Sequence, residues 1–259
     1  MAVKITIVGA AGRMGSRIAE LSFRDKDVEI VGLVEAVSHP LLGTKIFPNG
    51  PNLVCELESC IKDTDVVIDF SSPVFVDRNL KLVAESGKAV VIGTTGHNAT
   101  QVDTIHMFSK KIPIVFSSNM SVGVNTLFKS LDLVLKILAE KDYDIEVIEC
   151  HHNKKKDAPS GTAKKIMEII KQHRPNAKFI YGREGMVGER TKNEVGVFAV
   201  RGGDIVGEHT IIIATDGERL ELKHIATSRE TFAKGAILAA KWVASKPAGL
   251  YSMYDVLGI

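Results

Sequence analysis

A short apolar run, Val3 to Val8, stops at Gly9 and is followed by GAAGRMG, with glycines at Gly9, Gly12 and Gly15. β-formers that break on closely spaced glycines and resume as a helical pattern, Ser16 to Phe23, leave few folds open. A second run of the same kind, Val28 to Val34, ends at Glu35, 20 residues beyond Gly15. Strand, glycine turn, helix, strand and acid together make a βαβ unit of the dinucleotide-binding kind. The glycines let the backbone approach a pyrophosphate at a helix N-terminus, and the acid takes ribose hydroxyls. The spacing is GxxGxxG rather than GxGxxG, so the surrounding elements carry the reading more than the glycines do. A P-loop is excluded because no Lys-Ser or Lys-Thr follows Gly15.

The α/β alternation continues with strands over Val66 to Phe70, Ala89 to Ile92 and Ile114 to Phe116, and a helix over Phe75 to Ser86. Each strand stops at small or hydroxyl residues: Ser71-Ser72-Pro73, then Gly93-Thr94-Thr95-Gly96, then Ser117-Ser118-Asn119-Met120. In an open parallel sheet such carboxyl ends line the ligand crevice, although tight βα turns need the same residues with no ligand. A carboxylate at Glu35 suits two ribose hydroxyls and repels a 2′-phosphate, and the next residue, Ala36, offers no cation to clamp one. The expected cofactor is therefore NADH, with NADPH possible through Arg13, His39 or Lys45.

Beyond an amphipathic helix over Thr126 to Glu140 lies the most densely functional stretch, EVIECHHNKKKDAPSGTA from Glu146 to Ala163. It opens as a strand, with alternation running from Ile145, and closes as a helix entry at Pro159, Ser160, Gly161 and Thr162. Backbone N–H groups at Gly161 and Thr162, with the positive end of the helix dipole, suit a carboxylate or phosphate. Lys155 sits between Lys154 and Lys156, and like charges disfavour its protonated form. Read blandly, three lysines are a solvated face and paired histidines are ordinary core or surface residues. Cys150, His151 and His152 lack the second spaced ligand pair of a structural zinc site, so no metal is expected. Spacing alone leaves the reaction open.

Tyr181 to Gly196 holds four glycines and several charges and reads as a mobile loop. Three β-rich segments follow, Val195 to Val200, Glu208 to Thr215 and Leu220 to Ala226. With the strand before His151 they form a mixed sheet, one face of which is available for oligomer contacts. Thr227-x-x-Glu230 reads as a capping box opening a helix to about Ser245, which packs back on the first domain. The expected class is α/β: an N-terminal Rossmann dinucleotide-binding domain, residues 1–120 completed by 230–259, and an α+β mixed-sheet substrate and oligomerisation domain, 121–229.

A formal net charge of +2 argues against nucleic-acid or membrane-surface partners, so a local basic cluster is matched to a small anion. The three cysteines, Cys55, Cys60 and Cys150, form no CxxC pair and point to a reducing compartment. The chain starts directly in a strand with no signal-peptide pattern and no apolar run near the roughly 20 residues of a membrane span. A cytoplasmic location is expected.

With both halves assembled, the chain resembles the 4-hydroxy-tetrahydrodipicolinate (dihydrodipicolinate) reductase family of lysine and diaminopimelate synthesis, over essentially its whole length. ECHHNKKKDAPSGTA matches the family's E-x-HH-x-x-K-x-DAPSGTA signature, supported by GAAGRMG, VIDFSSP, VIGTTG, SNMSVGVN, GREG-x-x-GER and RGGDIVGEHT. The resemblance implies a homotetramer that reduces a small cyclic dicarboxylate with NAD(P)H. It implies nucleotide contacts at Gly9, Ala10, Ala11, Gly12, Arg13, Met14, Glu35, Gly93, Thr94, Thr95, Ser117, Ser118, Asn119 and Met120. It further implies His151 and Lys155 as the acid–base pair, His152 as a substrate contact, and Gly161 and Thr162 as the hold on a substrate carboxylate. The implied chemistry is water loss, hydride transfer to ring C4, and protonation at C3 by Lys155 with His151 assisting. An arginine is common in the family where this chain has Ala36, which bears on NADPH use.

Two other classes fit the sequence less well. Short-chain dehydrogenases need Tyr-x-x-x-Lys, and none of Tyr143, Tyr181, Tyr251 or Tyr254 has a lysine four residues on. A nucleotide-sensing regulator would keep the Rossmann half but needs no HH-x-x-K cluster and would normally bring a DNA-binding module, of which the sequence shows none.

Overall fold

The computed structural model describes residues 1–138 and 141–259. These divide into two units, Met1–Val122 with Arg229–Ile259, and Gly123–Ser228.

The first unit begins with β1 (Val3–Val8), α1 (Gly15–Phe23), β2 (Val28–Val34) and the two-residue β3 (Leu53–Val54). It continues through β4 (Val66–Asp69), α2 (Pro73–Glu85), β5 (Ala89–Ile92), α3 (Ala99–Ser109) and β6 (Pro113–Phe116). The second unit holds α4 (Val122–Ile137, whose first residue belongs to the first unit), β7 (Asp144–His151), α5 (Gly161–His173), β8 (Lys178–Ile180), β9 (Glu194–Arg201), β10 (Gly207–Thr215) and β11 (Glu218–Ala226). The chain then returns to the first unit with α6 (Glu230–Val243), β12 (Gly249–Tyr251) and α7 (Met253–Leu257). The helix expected from Thr126 begins a turn earlier, at Val122, and its expected end at Glu140 lies outside the described residues. Among the described residues no helix is long and apolar enough to cross a membrane.

The first sheet is wholly parallel, in the order β12-β6-β5-β4-β1-β2-β3. Parallel strands need crossover helices, which cover both faces, so the strands read as continuous apolar runs. Alternate residues serve opposite faces. Ile5, Ile7, Ile68, Val91 and Val115 join one core cluster with Ala236 and Ala240 of α6, while Val8, Val67, Val90 and Ile114 join a second with Val83 of α2 and Ile105 of α3. The strand order reverses between β1 and β4, whose carboxyl ends carry Gly9 and Phe70. That reversal is where an open α/β sheet leaves a crevice.

In the second unit the sheet is mixed, β11-β10-β7-β9-β8, with β7, β8 and β9 parallel and β10 antiparallel to both neighbours. The alternation in β7 buries Ile145, Val147, Glu149 and His151 on one face. The segment between β8 and β9 is not the mobile loop expected from its glycines. Arg183 forks between Glu146 and Glu194, and Arg190 reaches Glu146, Asp144 and the Ile145 and Glu194 carbonyls. Two planar guanidinium groups with several donors each supply the anchoring that local propensity does not.

The anticipated capping box at Thr227 is not formed. Arg229 occupies the N-cap of α6 without a side-chain hydrogen bond, and Glu230 pairs instead with Arg17 of α1 and Lys234. In the first unit α6 packs against α1, β4, β5 and β6. It packs tightly at Gly235, where an added Cβ would lie 1.7 Å from the Met120 carbonyl oxygen. Gly235→Ala would gain at most ~1 kcal/mol of helix propensity, whereas overpacking costs about 1–3 kcal/mol or more. The expected outcome is a lower urea midpoint in unfolding followed by the fluorescence of Trp242; an unchanged midpoint would contradict this packing.

Candidate functional site

The glycine-rich turn begins where β1 ends. Gly9 has φ +79°, and a Cβ there would meet the Phe70 carbonyl at 2.5 Å; a Cβ at Gly15 would stand 2.0 Å from the Gly9 carbonyl. Only glycines let this turn fold so tightly under α1. The Gly9 and Ala10 amides both donate to the Val34 carbonyl, and Gly12 donates to Gly9. Glu35, at the end of β2, accepts from the Ala11 amide through Oε2 and from the Ala36 amide through Oε1, each at 3.0 Å. Sequence spacing did not reveal that the acid also clamps the turn. Each carboxylate oxygen keeps a further lone pair for a hydroxyl.

Two adjoining clefts in the first unit share Gly12, Phe70 and Ser71. One, of about 430 Å³, is bordered by Gly9, Glu35, Ala36 and Arg78. The other, of about 520 Å³, is bordered by Arg13, Met14, Gly93, Thr94, Thr95, Ser118, Asn119 and Met120. Both volumes lie in the range of small-molecule sites. Glycine turn, acid and paired clefts fit a dinucleotide laid across the strand ends. Ser117 does not border either cleft; its hydroxyl donates to the Asn119 carbonyl and shapes the turn. Ala10 points into the core, and only its backbone belongs to the turn.

A buried acid, Asp69, ties two of these turns together. Its Oδ1 accepts from the Ser71 amide and hydroxyl and lies 3.4 Å from the Thr94 hydroxyl, which in turn accepts from the Ser71 amide at 3.0 Å. Burial pushes the Asp69 carboxyl above its ordinary value despite the opposing hydrogen bonds from Ser71 and Thr94.

In the second unit, β7 delivers its last residue, His151, into a polar cluster on the buried face of the sheet. Register sets the cluster: His151 stands opposite Arg201, the last residue of β9, and Glu149 stands opposite His209 of β10. Fully buried Glu149 accepts from His151 Nδ1 at 2.6 Å, both Arg201 terminal nitrogens at 2.8 Å and the Ser160 amide at 2.9 Å. Burial alone would push the carboxyl up, but the hydrogen bonds from His151, Arg201 and the Ser160 amide outweigh it and hold Glu149 at about 2. His209 sits edge-on to His151, with ring centroids 5.3 Å apart, and its Nε2 meets the Ser160 hydroxyl at 3.1 Å. Burial, then the proximity of His151, depresses His209 to about 3 and keeps it neutral.

Ser160 caps α5 by accepting from the Ala163 amide at 3.2 Å. An added Cβ at Gly161 would meet nothing within 4 Å, so the first turn of α5 is open there. Lys155 does not face its lysine neighbours as expected. Its ammonium pairs with Asp157 at 2.9 Å, and that contact holds the Asp157 carboxyl below its ordinary value. The Asp157 carbonyl accepts from Arg201, so the lysine loop and the Glu149 cluster share one guanidinium. His152 lies on the same loop, its carbonyl accepting from the Lys155 amide.

The comparisons with known proteins fall on both units. Residues 3–120 match the family model described as "Dihydrodipicolinate reductase, N-terminus", and residues 123–257 match "Dihydrodipicolinate reductase, C-terminus". The chain belongs to the dihydrodipicolinate reductase family. It is 46% identical to the 4-hydroxy-tetrahydrodipicolinate reductase of Aquifex aeolicus, over 100% of both chains. It is 43% identical to that of Methanocaldococcus jannaschii, covering 99% of this chain and 98% of the relative. Among solved structures, a dipicolinate-bound dihydrodipicolinate reductase from Paenisporosarcina sp. TG-14 superposes with a TM-score of 0.81 at 25% identity, covering 98% and 99% of the two chains. The α/β architecture with a mixed-sheet second unit is thus that of this reductase family.

Of the cluster in the second unit, Glu149, Arg201 and His209 were not among the expected site residues. Glu149 had a readable signal: it falls on the buried phase of β7, after Ile145 and Val147, where an acid needs a partner. The cluster also sets an acid limit on stability. The unfolded chain takes up a proton near the ordinary histidine value of 6.5, which folded His209 refuses until about 3. Below the ordinary value of 4.5 it takes up another, which Glu149 refuses until about 2. Both contributions are complete above the unfolded values and are lost as pH falls. Unfolding free energy should therefore drop on acidification from pH 7 to 5, by up to about 1.4 kcal/mol per pH unit per proton. His209→Leu should flatten that slope; equal slopes in denaturant titrations of both proteins would exclude His209 as its source.

Proposed function

We propose that this chain reduces 4-hydroxy-tetrahydrodipicolinate, by way of dihydrodipicolinate, to tetrahydrodipicolinate in lysine and diaminopimelate synthesis. The observation that carries the proposal is the junction from β7 to α5. There His151, Lys155 and an open helix N-terminus lie within one short segment of a chain whose other unit has a dinucleotide crevice. The nucleotide, when bound, supplies the hydride. The chain's own residues bind, orient and protonate.

The first turn of α5, at Gly161 and Thr162, presents backbone donors and the positive end of a helix dipole to one substrate carboxylate. His152, on the same loop, contributes a further polar contact. Lys155, held by Asp157, supplies the proton to ring C3 with His151 assisting. In the first unit the turn from Gly9 to Met14 carries the pyrophosphate, with Gly93 to Thr95 and Ser117 to Met120 on the nicotinamide side and Glu35 on the ribose side. The regulator alternative has nothing in its favour, since both halves match the domains of a reductase family.

NADH is the preferred donor in this reading. The carboxylate of Glu35 repels a 2′-phosphate, and Ala36 brings no cation to offset it. The protein works as a homotetramer in the cytoplasm; Val200 and Ile225, exposed on the sheet face opposite Glu149, supply apolar contact area.

Supplied with the condensation product of aspartate semialdehyde and pyruvate, the protein should oxidise NADH with a lower KM than NADPH. A strong NADPH preference would refute the role given to Glu35 and Ala36. Lys155→Ala should lower kcat by ~10²–10⁴-fold with little change in NADH binding, the size expected for a lost acid catalyst. Near-normal turnover in that variant would remove Lys155 from the step.

A further inference from the structure

A histidine serves acid–base chemistry only when one ring nitrogen is free and its protonation state is defined. Around His151 the structure determines which nitrogen that is. Glu149 Oε2 lies 2.6 Å from Nδ1. The other neighbours of the Glu149 carboxylate are all donors: Arg201 on both oxygens and the Ser160 amide on Oε1. An ionised carboxylate can only accept, so the contact at Nδ1 requires a proton on that nitrogen. In the neutral ring Nε2 then carries the lone pair. Gly207 stands beside Nε2, where an added Cβ would come within 3.1 Å of that nitrogen, so the lack of a side chain there leaves it unobstructed on that side. His209, packed edge-on, limits rotation of the ring.

We propose that Glu149, anchored by Arg201 and the Ser160 amide, is a positioning residue that fixes His151 as the Nδ1–H tautomer and presents Nε2 as its working nitrogen. The proposal rests on the reading of the second unit as the substrate site and adds a residue that acts through another. Its anchor is built into the sheet, because His151 and Arg201 are register partners at the ends of β7 and β9. Arg201 also donates to the Asp157 carbonyl, a bond that Glu149→Gln leaves in place.

Glu149→Gln makes the proposal testable at the level of atoms. The Gln amide must place its NH2 where Oε1 or Oε2 stood. At Oε1 it would face two donors, the Ser160 amide and Arg201 Nη2. At Oε2 it would face one fixed donor, Arg201 Nη1, and the His151 ring, which can switch to accepting. The NH2 therefore takes the Oε2 side and donates to Nδ1, which moves the His151 proton to Nε2.

Protein labelled with 15N-histidine, observed by NMR of the ring nitrogens, reads the tautomer directly. The expected wild-type spectrum has protonated Nδ1 and bare Nε2 for neutral His151, and Glu149→Gln inverts it. Turnover should fall by about 10²–10³-fold, with substrate and cofactor KM changed by less than about threefold, the signature of a lost transition-state contribution. In a His151→Ala background the same substitution should change the residual turnover by less than about twofold, because the acid acts through the ring. A purely structural role would cost as much in both backgrounds. A wild-type ring protonated at Nε2, a Gln variant with native turnover, or equal costs in the two backgrounds would each overturn the proposal. If the Gln variant does not fold, the wild-type spectrum decides alone. If the wild-type protein reduces no dicarboxylate, the functional reading fails while the spectrum still tests the lock.

Discussion

A carboxylate with no access to water persists only where enough donors surround it, and the second unit of this protein is arranged around one such group. Left unpaired, buried Glu149 would cost several kcal/mol. Here it meets a bidentate guanidinium, a backbone amide and an imidazole, and it stays ionised. Each donor arrives from a different place: Arg201 from the end of β9, the Ser160 amide from the residue that caps α5, His151 from the end of β7. Satisfying one charge thus pins two strand ends and a helix start together. The chemistry assigned to His151, Lys155 and the first turn of α5 depends on that junction being stiff.

In the proposed reading the first unit solves a different problem, that of bringing backbone rather than side chains to a ligand. Its parallel strands are covered on both faces, so water reaches polar groups mainly at their ends. The reversal of strand order at β1 and β4 opens the crevice there, and glycines at 9 and 15 close the turn to distances that no side chain would permit. Buried Asp69 performs for Ser71 and Thr94 what Glu149 performs for Ser160 and Arg201. In both units an acid under the site, rather than in it, sets the shape of the loops above.

Much of this was legible in the chain. The GAAGRMG turn, the run of strands ending in small residues and the HH-x-x-K segment before a helix entry are local patterns with local causes. Most elements of four or more residues with clear periodicity stand within about two residues of where the periodicity put them, but α4 starts at Val122, a turn before the expected Thr126. Leu53–Val54, Lys178–Ile180 and Gly249–Tyr251 are too short to show a period, and tertiary pairing alone makes them strands. The 181–193 segment looked mobile because glycines and charges have no local structure to prefer. Its order comes from Arg183 and Arg190 reaching acids on neighbouring strands.

By itself the sequence determined the two-part architecture, the glycine-rich turn with its acid, and the segment to which the chemistry is assigned. Those depend on neighbours along the chain, where spacing and residue type suffice. Only the tertiary structure decided that Lys155 faces Asp157 rather than other lysines, that Glu35 clamps the turn it was expected only to accompany, and that Glu149, Arg201 and His209 meet at His151. Their meeting is a matter of strand register, and register is fixed by which faces are buried when distant strands pair, not by any residue's immediate neighbours.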